Sequence, residues 1–139
     1  TTFGMLAGVT EKIRFGTGIA LVPQRNPVYT AKELATLDWL SDGRMDFGIG
    51  VGWCKEEVIA CGYSWEDRGE RCDEFLQTMI NLWTQPVASF EGKHVQLAPC
   101  RMDPKRRSSH LSSAARSGSR AANATTAPFG KPAGPRETQ

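Results

Sequence analysis

KIRFGTGIALVPQRNPVYTAKELATLDWLSDGRMDFGIGVGW, residues 12–53, decides the fold class. Its first part alternates: Ile13, Phe15, Thr17 and Ile19 fall on one face of a strand, Gly16 and Gly18 on the other. Pro23 to Pro27 is turn-rich. Asn26-Pro27 then opens a helix, because Asn caps and Pro suits the first helical position. Val28, Ala31, Leu34, Ala35 and Leu37 repeat at helical spacing, and Ser41-Asp42-Gly43 closes the helix with a glycine able to turn left-handed. A second strand follows at once, with Met45, Phe47, Ile49 and Val51 on one face and Gly48, Gly50 and Gly52 on the other.

Working outward, Met5 to Val9 ends a helix closed by Thr10-Glu11-Lys12. Trp53 to Cys61 makes a short helix stopped by Gly62. Cys72, Phe75, Leu76, Met79, Ile80 and Trp83 form the strongest amphipathic helix, and Ser89 to Leu97 reads as a hairpin turning near Glu91-Gly92. Strand, helix, strand, helix with short links predicts parallel β/α units and an α/β fold.

The charge is split. Residues 1–100 hold 9 Lys+Arg against 13 Asp+Glu, whereas residues 101–139 hold 8 against 2. The second segment lacks Val, Ile, Trp and Tyr, and its only large apolar residues are Met102, Leu111 and Phe129. Too little apolar surface is available there to offset a backbone ordering entropy of about 1–2 kcal/mol per residue. Residues 101–139 are therefore expected to form a disordered basic tail beyond a folded segment, residues 1–100.

No run of about eighteen apolar residues is present, so no membrane span is expected. TTFGMLAG does not read as a signal peptide. The chain opens without Met inside a helical pattern, as a fragment would. Cys54, Cys61, Cys72 and Cys100 include no C-x-x-C pair and read as reduced thiols in a cytoplasmic protein.

The glycine-faced strands carry the most chemistry. In a β/α barrel one strand face meets the helices and the other points inward. Glycines on the inward face near the strands' C-terminal ends leave room where barrel active sites lie. The commoner reason for such glycines is a bulge or tight packing, and pattern alone does not separate the two. Gly48-Ile-Gly-Val-Gly52 is not a dinucleotide fingerprint, because its spacing is G-x-G-x-G and it lies within the strand.

Arg25 reads as a solvated loop residue and Glu56-Glu57 as the acidic first turn of a short helix. His94 and His110 have no partner at ligand spacing, so no metal site is expected. Lys105-Arg106-Arg107 lacks an aromatic platform for nucleic acid and reads as a charged tail, with docking on an acidic partner as an alternative.

The run at residues 12–53, continued by ERCDEFLQTMINLWTQPVASFEGKHVQL at residues 70–97, resembles the luciferase-like monooxygenases, especially their deazaflavin-dependent group. GTGI, RNP, the helix ending in SDGR and the strand GIGVGW carry the likeness. The resemblance implies a fragment of a TIM (β/α)8 barrel and a parent enzyme transferring hydride between reduced FMN or coenzyme F420 and a small organic substrate, with or without O2. It also implies a homo-oligomeric parent, and neither nucleic acid nor membrane is expected as a partner. It places Thr17, Gly18 and Ile19 behind the cofactor ring, with a non-proline cis peptide at Gly18–Ile19, and Val51, Gly52 and Trp53 along the same ring. Some relatives carry a proton-donating Glu where this chain has Trp53, which argues against their chemistry here. No catalytic residue is assigned, and the isolated fragment is expected to be inactive, a remnant without turnover. The likeness is expected to stop near Pro104-Lys105, as after a reading-frame shift between Cys100 and Arg106.

Overall fold

Met45, Phe47 and Ile49 are 0–4% exposed, and the strand that carries them, β3 (Met45–Gly50), is the axis of the sheet. The structure is a computed structural model and describes residues 1–107 together with the backbone of Leu111–Ser113. Along the chain come α1 (Thr2–Val9), β1 (Phe15–Gly16), β2 (Ala20–Leu21), a 3-10 turn at Val22–Gln24, α2 (Pro27–Leu40) and β3. Then follow α3 (Lys55–Ala60), α4 (Arg68–Thr84), β4 (Ala88–Glu91), β5 (Gln96–Cys100) and β6 (Leu111–Ser113). β1, β2 and β6 all pair parallel with β3, the first two on one side and β6 on the other. β4 and β5 form a separate antiparallel hairpin.

The local signals act as their chemistry dictates. The Asn26 side chain accepts from the amides of Val28 (3.0 Å) and Tyr29 (3.1 Å), and Pro27 opens α2. Gly43 ends it at φ 80°, its amide donating to the Asp38 carbonyl at 2.8 Å. The apolar stripe of α4 packs with that of α2 and the bulky face of β3 into one core.

The first strand departs from the expected alternation. Phe15 pairs with Met45, but Ala20 pairs with Ile49, so five steps on one chain face four on the other. That extra residue is a β-bulge at residues 17–19. It reverses the parity: Ala20 is buried, while Ile19, expected on the bulky face, is 44% exposed.

The disordered tail expected from Arg101 onward does not begin there. Met102 is buried, and the Lys105 ammonium donates to the carbonyls of Leu82 (2.9 Å) and Gln85 (2.6 Å), capping the end of α4. Arg106 donates to the Met45 carbonyl at 2.9 Å, and its guanidinium lies 5.1 Å from the Trp83 ring centroid. The Arg107 amide donates to buried Asp38 at 2.6 Å, and its side chain pairs with Asp42 at 2.9 Å. Composition misjudged residues 101–107 because, beside the single buried Met102, cations on aromatic faces and helix carbonyls anchor them. Beyond it, the backbone of Leu111–Ser113 adds a strand to β3. The tail expectation for residues 114–139, and His110, lie outside the described residues.

Among the described residues no helix is long and apolar enough to cross a membrane. All four cysteines are free. Burial pushes the Cys72 thiol up to about 12, whereas Cys61 is exposed. A thiol whose folded value is raised contributes stability that is complete below its unfolded value, near 9, and is lost as pH rises toward 12. In a neutral-pH thiol titration Cys61 should react at once and Cys72 only on unfolding. Equal rates for the native protein would contradict the burial.

Candidate functional site

Parallel strands bring their C-terminal ends to one side of the sheet, and the loops leaving β2 and β3 start there. The 3-10 turn at Val22–Gln24 carries the chain from β2 toward α2, and Val51 to Cys54 carries it from β3 into α3. The six residues expected at the cofactor ring lie in two short segments of these neighbouring strands. Thr17, Gly18 and Ile19 form the bulge, and Val51, Gly52 and Trp53 continue β3.

The bulge is fixed by its own hydrogen bonds. The Thr17 amide donates to the Asp46 carbonyl at 3.3 Å, and its hydroxyl to the Gly48 carbonyl at 2.6 Å. The Gly18–Ile19 peptide is cis, as the family resemblance implies. The glycines now separate into two kinds. A Cβ on Gly48 would overlap the Thr17 carbonyl oxygen, and one on Gly50 would overlap the Ile19 side chain. These two exist for close packing of the bulge. Gly18 differs: a Cβ there would meet nothing within 4 Å, so its lack of a side chain serves no contact among the described residues. Gly52 sits at φ 85°, which favours glycine, and turns the chain so that Trp53 emerges 87% exposed.

Arg25, in the loop after β2, is exposed. It lines a cleft of about 500 Å³ together with Thr17, Ala20, Thr30 and Phe3. A wider hollow of about 750 Å³ follows the β4–β5 hairpin (Ser89 to Glu91, Gln96 to Pro99), away from the strand ends. The Glu56 backbone amide and, next to it, the Cys54 thiol donating at 3.3 Å hold the Glu56 carboxyl below the usual range. An exposed, ionised Glu56 in the first turn of α3 supports the helix start and is poorly suited to donating a proton.

Sequence reading missed Arg71. Its guanidinium is 3% exposed and donates to the carbonyls of Pro23 (3.2 Å) and Ser64 (2.6 Å) and to the Asp67 carboxylate. It therefore ties the loop after β2 to the loop preceding α4, two segments that frame the strand ends. The signal was faint: an arginine beside Cys72 on the inner face of α4, with an acid four residues earlier.

His94 also has partners that its place in the sequence did not suggest. Glu70, Glu74 and His94 bring ligand-type atoms within 4.8 Å of one another. Glu74, however, already accepts from the amides of Lys93 (2.9 Å), His94 (2.7 Å) and Val95 (3.2 Å), and the Lys93 ammonium lies 2.8 Å from Glu70. Lys93 and His94 together hold the Glu70 carboxyl below its ordinary value. The group is a latch between α4 and the hairpin, with a cation of its own.

A family model described as luciferase-like monooxygenase matches residues 1–127, well past Pro104-Lys105, where the likeness was expected to stop. The chain is 33% identical over 103 residues to the FMNH2-dependent dimethylsulfone monooxygenase of Pseudomonas putida, covering 72% of this chain and 28% of that protein. It superimposes on monooxygenase RslO1 from Streptomyces bottropensis with a TM-score of 0.71 and 30% identity, covering 75% of this chain and 32% of that one. It also superimposes on the coenzyme F420-dependent tetrahydromethanopterin reductase of Methanopyrus kandleri, with a TM-score of 0.61 and 26% identity over 75% of this chain and 34% of that one. The chain spans 39% of the length of mycobacterial relatives to which it is 36% identical over 110 residues.

Proposed function

The chain belongs to the luciferase-like monooxygenase family, and from that premise we propose that it supplies one wall of the cofactor site of a flavin- or deazaflavin-dependent oxidoreductase. The observation that carries the reading is the bulge at residues 17–19, built beside the end of β3 and leaving Gly18 open. A planar ring fits such a wall, because it needs a surface without side chains and backbone polar groups nearby. Thr17, Gly18 and Ile19 hold the ring from behind, and Val51, Gly52 and Trp53 border it. The cofactor, reduced FMN or coenzyme F420, supplies hydride transfer or oxygen activation when bound. This chain's residues bind and orient it and shield one face from water. Its substrate is a small organic molecule, and the whole protein is a cytoplasmic homo-oligomer in this reading.

No residue described here is placed as an acid or base, so turnover by these 139 residues alone is not expected. Lys105, Arg106 and Arg107 are engaged with α4, β3 and α2 and so are not the part of a basic tail that would dock on a partner.

Fluorescence titration with FMN and with F420 tests the reading. One of the two should bind, and Gly18→Ala should weaken it by about tenfold or more while leaving the melting temperature within a few degrees. The added methyl would meet a ligand on that face and nothing within 4 Å in the chain. Failure of both cofactors to bind, or unchanged affinity in the variant, would count against it.

A further inference from the structure

Three of the four tryptophans are used by the fold. Trp39 donates to the Lys105 carbonyl at 2.6 Å and lies 4.7 Å beneath the Arg107 guanidinium. Trp65 lies 3.7 Å beneath Arg68. Trp83 is 5% exposed, donates to the Ala31 carbonyl at 2.9 Å and is covered by Arg106. Trp53 is the exception: among the described residues it has no hydrogen bond, ring contact or cation partner, and it is 87% exposed.

We propose that Trp53 is the platform on which a planar, uncharged ring of the organic substrate stacks at the C-terminal end of β3. The inference rests on the oxidoreductase reading and names the substrate class for that site. A tryptophan has about 150–250 Å² to bury and a face that prefers other rings. This one is held out by the left-handed turn at Gly52, beside a strand whose open Gly18 and 44% exposed Ile19 lie at the same end of the sheet. Its indole N–H donates but does not ionise at neutral pH, so its contribution is binding and not acid–base chemistry.

Of the charges next to it, Lys55 pairs with Glu66 at 3.8 Å and Glu56 accepts from Cys54. The exposed carboxylates of Glu56, Glu57 and Glu66 disfavour an anionic ligand, and for an uncharged one the π face is the recognising feature. The site should therefore select flat, unsaturated rings over saturated ones of the same size.

The test uses the full chain, with and without saturating FMN, and two probes of matched shape: 2-naphthol and decahydro-2-naphthol. Equilibrium dialysis gives the affinity for each. Wild type should prefer 2-naphthol. Trp53→Ala should weaken 2-naphthol by roughly tenfold, Trp53→Phe by less than threefold, and neither should move the decahydro probe. Both variants should melt with the wild type, since the side chain supports nothing. Equal 2-naphthol binding by wild type and Trp53→Ala, or the same loss for both probes, overturns the proposal. FMN affinity read on the same samples keeps the two ideas apart: a protein that ignores FMN contradicts the oxidoreductase reading, while loss of 2-naphthol binding in saturating FMN would mean that Trp53 faces the cofactor ring instead and overturns the proposal.

Discussion

Gly48→Ala should destabilise the protein by about 3 kcal/mol or more, the upper part of the range for an added group in a closed space. The added methyl would overlap the Thr17 carbonyl oxygen, which is backbone and has no rotamer by which to retreat. That carbonyl is held by the bulge, whose Thr17 amide and hydroxyl are bonded to Asp46 and Gly48. The bulge must shift or the two strands must separate, so the proposed cofactor wall should be lost with the stability. For a chain of this size the melting temperature should fall by roughly 10 °C or more. Gly18→Ala is the control: one position away from Thr17 in the same bulge, it meets nothing within 4 Å and should melt as wild type. If Gly48→Ala melts within about 2 °C of wild type, the close packing of the bulge is refuted.

Arg71→Met should cost about 3–5 kcal/mol, the usual size for removing one partner of a buried charge pair. The methionine retains much of the apolar stem but leaves the carbonyls of Pro23 and Ser64 and the Asp67 carboxylate without their donor. The buried Pro23 carbonyl, left unpaired, accounts for roughly 1–3 kcal/mol of that. Arg71→Lys should recover less than half, because a single ammonium cannot serve acceptors set around a planar fork. Urea denaturation measures the loss, and limited proteolysis should show new cleavage at residues 22–26 and 61–67, the loops that Arg71 ties together. A lysine variant as stable as wild type would mean that only the charge matters there.

These two predictions differ in how visible their residues were. Gly48 stood out in the sequence as one of a run of alternating glycines, but whether that run made room for a ring or for the backbone could not be read from spacing. The bulge resolves it: Gly48 and Gly50 serve the backbone and Ile19, and Gly18 alone of the three is open. Arg71 was invisible because its acceptors are main-chain carbonyls 48 and 7 residues away, and any residue offers a carbonyl. The same blindness hid the Glu74 latch, which binds three amides of the hairpin turn.

By itself the sequence determined the order of helices and strands over residues 1–100, apart from the break that divides the first strand, and did not foresee β6. The Asn26-Pro27 start, the Gly43 stop, the period-two strands and the apolar stripe of α4 each follow from contacts between residues a few positions apart, which spacing encodes directly. It also determined the bulky face of β3, since a regular strand alternates without exception. Only the tertiary structure decided where alternation breaks, because the register that forces the bulge belongs to two strands thirty residues apart. It likewise placed Lys105, Arg106 and Arg107 against α2, α4 and β3. Composition counts charge as solvated, whereas a cation finds its aromatic face or carboxylate only once distant helices have been packed side by side.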